Sequence, residues 1–260
     1  DLEKGNYADA LLKLRCIGGN TGIESWKIYS AYSMCYFMLG YMKKAAMYSE
    51  MAMAHFSGEI SLTQRTLFSN YLLQLHYLSQ AEVNDKMMFE KHCMTDTFYG
   101  TVQTYKHNRK GRKGKLRIGY LSPDFYEHVV VNFSIQLLAR YDKERYEVVC
   151  YTLSNHNGAV TEQIKGFVDE WSDLSAVDVK TAAQKIYADQ IDILFDLAGH
   201  TDGGITLEIM AYKPAPVQIS GIGWFDTTGL RTIDYFLTDI YCDGKENNRF
   251  FTEKLLRLPH

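Results

Sequence analysis

Proline is absent from the first 105 residues of this 260-residue chain, and all four of its prolines lie beyond them. Because proline ends or kinks a helix, a long stretch without it can form uninterrupted helices. Apolar and aromatic residues recur in this stretch at helical spacing, as in Tyr29, Tyr32, Tyr36 and Leu39. The first part of the chain is therefore predicted to be helical, and the proline-containing part is expected to have a different architecture.

Cysteine is also scarce, and no two of the five cysteines have the Cys-x-x-Cys spacing of a metal or redox site. An odd number without such spacing argues against a zinc site or a disulfide framework and favours free thiols in a reducing compartment. The net charge is only −3, so the composition predicts no attraction to nucleic acid or to an anionic membrane. No apolar run is long enough to span a bilayer. We therefore expect a cytoplasmic protein without nucleic-acid or membrane partners.

A short sequence pattern occurs twice near the start of the chain. Gly5 and Ala10 have the same spacing as Gly40 and Ala45, and the two pairs are 35 residues apart. A glycine permits the turn between two helices, and a small alanine lets the helices pack closely. A repeat of this length, with glycine and alanine at these positions, resembles the tetratricopeptide repeat. We interpret residues 1–58 as tetratricopeptide-like helical repeats, with an ordinary helical hairpin as the alternative.

The next segment is predicted to connect the helical part to the rest of the chain. Residues 59–113 continue the helical pattern and then enter a basic stretch, in which residues 106–115 contain six lysines and arginines. Such a run can bind phosphate groups, but the glycines within it and the abrupt change of pattern favour a solvated hinge. We therefore predict a helical connector followed by a basic linker.

Short β-rich runs alternate with helical stretches from residue 116 onward, which predicts a Rossmann-like parallel sheet. In such sheets, ligands bind beyond the carboxyl ends of the strands. This rule selects the loops 122–132, 197–206 and 222–229, which carry polar and glycine-rich segments. None of them contains a Gly-x-Gly-x-x-Gly fingerprint or a P-loop, which argues against a simple dinucleotide dehydrogenase or an NTPase.

Several motifs of this half occur in an order that resembles one known family. They are Leu116–His128, Asp192–Thr201 with its Asp-Leu-Ala-Gly-His-Thr run, Lys213–Gln218, Thr227–Gly229 and Glu253–Leu255. Together they resemble the O-linked N-acetylglucosamine transferases, most of all the SPINDLY-like members of bacteria and plants. In this family, tetratricopeptide repeats precede the catalytic core. The predicted helical part of this chain has the corresponding position.

The resemblance implies an inverting glycosyltransferase with two Rossmann-like lobes, the GT-B architecture. Residues 114–260 would form the N-terminal catalytic lobe, and we expect the C-terminal lobe to be absent from this chain. The resemblance further implies transfer of a sugar, N-acetylglucosamine in the first place, from a UDP- or GDP-sugar to Ser or Thr of a protein acceptor. The acceptor would bind the helical repeats, and the donor would bind mainly the second lobe. No metal or other cofactor is expected, and the chain alone should be inactive.

Carried over by position, two residues of the first loop match the family's active-site pair. Asp124 and His128 are predicted to be catalytic, since a carboxylate or a histidine can take the proton that the acceptor hydroxyl loses. The alternatives are a turn made by Asp124, a helix cap at His128 and, for His200, a structural hydrogen bond between loops. The residues predicted to bind substrate are Asn132, His200, Thr201, Gly223, Trp224, Phe225 and Thr227.

Two departures from the family pattern leave the function open. Asn132 stands where the family usually has a second histidine, and Trp224-Phe225-Asp226 replaces Tyr-Pro-Gly in the loop that lines the sugar pocket. The ring of Phe225 is larger than that of proline and is expected to crowd the 2-acetamido group of the sugar. The alternatives are therefore a non-catalytic, repeat-based binding module with a degenerate lobe, or a protein fucosyltransferase that uses GDP-fucose.

Overall fold

The computed structural model describes residues 5–16, 23–100, 102–108 and 114–259. The chain divides into two compact units, Asp1–Lys91 and His92–His260. Most of the basic linker, residues 109–113, lies outside the described residues, and the division into three parts at residues 58 and 113 stays a prediction. Among the described residues, no helix is long and apolar enough to cross a membrane.

The first unit is helical, as predicted. Its helices are α1 (Tyr7–Arg15), α2 (Ser25–Met38), α3 (Met42–Met53) and α4 (Leu62–His76), followed by α5 (Asp85–His92), which ends at the first residue of the second unit. The first three helices share a core cluster of Ala10, Leu11, Cys35, Tyr36 and Ala45. The two alanines of the repeated pattern, Ala10 and Ala45, are therefore both buried where the helices pack together.

The backbone conformation is also the same in the two copies of the pattern. Gly5 has a φ of 71° and Gly40 a φ of 81°, a left-handed conformation that favours glycine, and helices α1 and α3 begin two residues after them. The two segments thus form the same turn and the same helix start, 35 residues apart. This repeated geometry is what the sequence pattern predicts, while the assignment to the tetratricopeptide class stays a prediction.

The second unit is a seven-stranded sheet in which every pair of neighbouring strands is parallel. The strand order is β3-β2-β1-β4-β5-β6-β7. The strands are β1 (Leu116–Ser122), β2 (Tyr146–Thr152), β3 (Glu170–Asp173), β4 (Ile193–Asp196), β5 (Val217–Gly221), β6 (Tyr235–Asp239) and β7 (Lys254–Leu258). The predicted Rossmann-like α/β fold is confirmed, with β3 and β7 as additional edge strands.

One helix of this unit precedes the sheet, and the others connect its strands. They are α6 (Thr95–Tyr99), α7 (Val129–Ala139), α8 (Ala159–Phe167), α9 (Val179–Ala188) and α10 (Ile205–Ala211), with short 3-10 helices at Thr201–Gly204 and Lys245–Phe250. Strand β1 crosses the centre of the core through Gly119, where a Cβ atom would lie 2.9 Å from the Leu194 side chain. A larger residue at this position would therefore force neighbouring side chains to shift.

The strand order places a topological switch point between β1 and β4. From β1 the chain proceeds through β2 to β3 on one side, and then returns to build β4 to β7 on the other. The loops that follow β1 and β4 therefore diverge, which opens a crevice between them at the carboxyl edge of the sheet. Open α/β sheets bind their ligands at this position.

Candidate active site

A cleft of about 480 Å³ lies at this switch point. The loops after β1, β2, β4 and β5 all contribute to its walls. Four of the predicted site residues line it, namely Asp124, His128, Thr201 and Gly223. The structure therefore brings together one or two residues from each of the three loops that the sequence selected.

Asp124 and His128 face each other within the first loop. The Asp124 residue is 8% exposed, and its Oδ2 lies 3.7 Å from Nδ1 of His128. The turn after β1 is made by the Ser122 hydroxyl, which accepts the backbone N–H of Asp124 at 3.0 Å. The side chain that stabilises this turn is therefore Ser122. The Asp124 carboxylate instead points toward His128.

His128 is also the N-cap of α7, as its alternative interpretation predicted. Its Nδ1 accepts the backbone N–H of Val130 at 3.4 Å. A neutral imidazole that accepts at Nδ1 carries its proton on Nε2. In this arrangement His128 lines the cleft as a hydrogen-bond donor, and the capping role and the site role are compatible.

The surroundings of Asp124 in the cleft shift the pKa of its carboxyl. Burial raises the pKa of Asp124, the positive charge that His128 carries when protonated lowers it, and the negative charge of Asp202 raises it. The net direction is upward from the ordinary value. A carboxylate with a raised pKa is a stronger base, so Asp124 is better suited to accept a proton than an exposed aspartate.

A buried carboxylate shapes the loop after β4. Asp196 is fully buried, and its Oδ1 accepts the backbone N–H groups of Ala198 and Gly199 at 2.9 and 3.0 Å. Its Oδ2 accepts the Ser220 hydroxyl at 2.7 Å, which ties this loop to β5. The resulting turn directs the 3-10 helix that begins at Thr201 toward the cleft.

His200 lies outside the cleft and takes the structural role considered for it. It is 2% exposed, and its Nε2–H donates to the Thr228 carbonyl oxygen at 2.8 Å. The imidazole ring packs against Trp224, with ring centroids 5.2 Å apart. His200 therefore joins the second loop to the third, and it does not line the cleft in this unit.

Three more predicted substrate residues lie away from the cleft. Trp224 and Thr227 are 1% and 0% exposed, whereas Phe225 is 61% exposed and stacks on Trp224 with centroids 4.8 Å apart. Phe225 is not among the residues that line the cleft, so the expected crowding of the sugar by its ring has no support from this geometry. Asn132 lines a neighbouring cavity of about 400 Å³, which His128 also borders.

Glu253 holds the third loop in place. It lies before β7 and is 5% exposed, and it accepts the Thr228 backbone N–H at 2.8 Å and the Thr227 hydroxyl at 2.5 Å. The Thr228 hydroxyl donates to it as well. Burial raises the pKa of Glu253 despite these donors. Because the Thr228 carbonyl also accepts His200, this carboxylate supports both loops.

Nine residues that line the cleft were not among the predicted site residues, and five of them bear on its chemistry or shape. They are Tyr126, Ser154, His156, Asp202 and Ile222. Ser154 and His156 belong to the loop after β2, which the carboxyl-end rule could have selected because β2 was predicted. Ile222 has a φ of 72°, an uncommon conformation for a β-branched residue that is typical of functional loops. No sequence signal indicated that backbone conformation.

Comparisons with known proteins identify the family of this chain. The sequence model of glycosyl transferase family 41 matches residues 77–260. A protein from Petunia hybrida, named as a probable UDP-N-acetylglucosamine–peptide N-acetylglucosaminyltransferase SPINDLY, is 34% identical over 210 residues. That match covers 77% of this chain and 22% of the relative. The Arabidopsis thaliana protein of the same name is 35% identical over 208 residues, with the same coverage.

A solved structure shows the same fold. An O-GlcNAc transferase mutant from Thermobaculum terrenum matches 99% of this chain and 51% of its own, with a TM-score of 0.69 and 21% sequence identity. The chain thus spans about a fifth of the length of the curated relatives and half of the solved structure. The resemblance drawn from the motifs is confirmed, and the chain belongs to glycosyl transferase family 41.

Proposed function

We propose that this chain is the N-terminal catalytic lobe, with preceding helical repeats, of a protein O-glycosyltransferase that transfers N-acetylglucosamine to Ser or Thr. The observation that carries the proposal is the pair of Asp124 and His128 in the cleft at the topological switch point. The names of the relatives support the reaction class, since they are called N-acetylglucosaminyltransferases that act on peptides. The activity is that of the full-length protein, of which this chain contains one part.

In the proposed reaction, the acceptor hydroxyl oxygen attacks the anomeric carbon and the bond from that carbon to the diphosphate oxygen breaks. The hydroxyl proton passes to the Asp124 carboxylate, whose raised pKa fits this role. The Nε2–H of His128 donates a hydrogen bond to an oxygen that gains negative charge in the transition state. Attack from the face opposite the leaving group inverts the anomeric configuration.

The remaining elements of the proposal follow from the family. A nucleotide-sugar donor binds mainly through the second lobe, which neutralises the leaving diphosphate without a metal ion. The helical repeats bind the protein acceptor, and the protein works in the cytoplasm. N-acetylglucosamine is the proposed sugar, and GDP-fucose is the competing donor. Competition among UDP-N-acetylglucosamine, UDP-glucose and GDP-fucose in the full-length enzyme distinguishes them.

The decisive variants separate catalysis from helix capping. Asparagine is a good N-cap but does not ionise near neutral pH, so His128→Asn keeps the cap and removes the imidazole. In the full-length protein we expect His128→Asn and Asp124→Asn each to lower turnover at least about a hundred-fold, because the first removes a hydrogen bond made in the transition state and the second removes the base. Thermal melting should change little. Wild-type turnover in both variants would contradict the proposal.

The second candidate function is a repeat-based binding module without catalysis. The capping bond from Val130 to His128 favours it, because a cap alone accounts for a histidine at this position. The substitution of asparagine at position 132 for a family histidine points the same way. A full-length protein that binds peptides but transfers no sugar from any of the three donors would support this function.

A further inference from the structure

A second groove lies in the same unit, built by residues 102–108, which we call the strap. The strap has no helix or strand of its own, but three hydrogen bonds fix it. The Tyr105 backbone N–H donates to the Tyr212 carbonyl at 2.8 Å, and the Tyr187 hydroxyl donates to the Lys106 carbonyl at 3.0 Å. Nε2–H of His107 donates to the Lys213 carbonyl at 2.8 Å. The strap is therefore a preformed surface.

Two cavities border the strap. The larger one, about 550 Å³, lies between residues 102–106, Lys180 of α9 and Tyr212 at the end of α10. The smaller one, about 360 Å³, includes Lys106, His107 and Tyr187. Lys106 lines both cavities, and neither shares a residue with the cleft that holds Asp124 and His128. The groove is thus a separate site, of the size that suits a small ligand.

The charge of the groove is positive. Neither cavity is lined by an acidic side chain. Lys106 and Lys180 form no ion pair with any residue that the structure describes. The chain continues from the strap into residues 109–113, which contain four more lysines and arginines. Ammonium groups without partners around a concave surface attract phosphate oxygens.

The aromatic residues of the groove indicate a second property of its ligand, a flat ring. Tyr105 stacks on Tyr187 with ring centroids 4.3 Å apart and an interplanar angle of 12°, and the ring of Tyr212 lies 6.3 Å from that of Tyr105. Tyrosine rings held in place in this way offer faces on which a nucleobase stacks. Nδ1 of His107 is buried and accepts no hydrogen bond, so it can take one from a base or a ribose hydroxyl.

We propose that the strap groove binds a nucleoside phosphate at a site separate from the catalytic cleft. Lys106 and Lys180 contact the phosphate groups, and the tyrosines of the groove contact the base. This assignment rests on the groove alone and does not depend on the proposed transferase reaction.

The test is isothermal titration of the 260-residue chain with UMP, AMP, uridine and inorganic pyrophosphate at low and high salt. The matched variants are Lys106→Met and Lys180→Met, which keep an apolar stem and remove the charge, with Lys245→Met as a control of equal charge change outside the groove. We expect a nucleotide to bind more tightly than uridine or pyrophosphate. The double groove variant should weaken binding at least about ten-fold, and the control should not.

Three outcomes would overturn the proposal. The first is the absence of nucleotide binding by the wild-type chain. The second is equal affinity for pyrophosphate and nucleotide, which would leave the rings without a role. The third is loss of binding in His128→Asn with full binding in Lys106→Met and Lys180→Met, which would place the nucleotide in the catalytic cleft.

Discussion

Replacement of Glu253 tests the way in which this fold supports its cleft. The carboxylate is 5% exposed and accepts the backbone N–H of Thr228 and the hydroxyls of Thr227 and Thr228. Glu253→Ala removes all of these acceptors at once. Glu253→Gln keeps the shape, and its amide oxygen can still accept from Thr228, while the Thr227 hydroxyl turns to donate to Thr252. The two variants thus separate the hydrogen bonds from the charge.

The expected magnitudes follow from the contacts. A hydrogen bond to a charged group contributes about 1.5–3 kcal/mol, and a buried donor without a partner costs about 1–3 kcal/mol. The hydroxyls can turn, since Thr227 Oγ1 lies 3.1 Å from Thr252 Oγ1, but the Thr228 N–H cannot. We therefore expect Glu253→Ala to lower the free energy of unfolding by about 3–5 kcal/mol. Glu253→Gln should remain within about 1 kcal/mol of the wild type.

The assay is urea unfolding followed by tryptophan fluorescence, because Trp224 lies in the loop that Glu253 holds and is 1% exposed. In the full-length protein, turnover should fall for Glu253→Ala and persist for Glu253→Gln. A cost below about 1 kcal/mol for Glu253→Ala, or equal costs for the two variants, would refute the reasoning.

The pH dependence of stability provides an independent check. Burial raises the pKa of Glu253 in the folded protein above the ordinary value of 4.5. A raised pKa means that the folded state binds the proton more tightly than the unfolded state. The stability from this group is therefore fully present below pH 4.5 and is lost as the pH rises through the folded pKa. Glu253→Gln should lack this loss, so its stability relative to the wild type should increase over that interval.

Two further predictions concern the cleft. Gly223→Ala places a Cβ atom 2.0 Å from the Leu197 carbonyl oxygen, a rigid backbone atom, so it should cost about 3 kcal/mol or more in urea unfolding. The control Gly166→Ala, with nothing within 4 Å, should stabilise the chain by about 0.5–1 kcal/mol, and equal effects would contradict the packing argument. Asp202→Asn removes the negative charge that raises the pKa of Asp124, so the acidic limb of the full-length pH–rate profile should move to lower pH. An unmoved limb would show that this carboxylate does not set the profile.

The fold of the second unit follows largely from local sequence pattern. The runs that became β1, β2, β4, β5 and β6 are rich in apolar residues over four to seven positions, and such runs form buried parallel strands. The edge strands β3 and β7 could not be predicted in this way. Residues 170–173 carry two acidic side chains, and residues 254–258 alternate in exposure. Their pairing depends on neighbours that are distant in the sequence.

The site residues also differ in how far the sequence alone could predict them. Asp124 and His128 could be identified because a single short loop carries both after a predicted strand, and a local motif survives without tertiary information. His200, Trp224 and Thr227 belong to equally recognisable motifs, yet they turn away from the cleft. Hydrogen bonds over 24 to 28 residues, such as those from Ser220 to Asp196 and from His200 to Thr228, decide these orientations.

The sequence by itself determined the helical first part, the parallel sheet and three of the loops that border the cleft. These features depend on hydrophobic period, on glycine and proline, and on the rule that ligands bind beyond the carboxyl ends of strands. Only the tertiary structure decided which side chains face the cleft, that His128 caps α7 while it lines the site, and that the strap forms a groove. Those outcomes depend on buried carboxylates and ring contacts between residues far apart in the chain, and no local pattern specifies them.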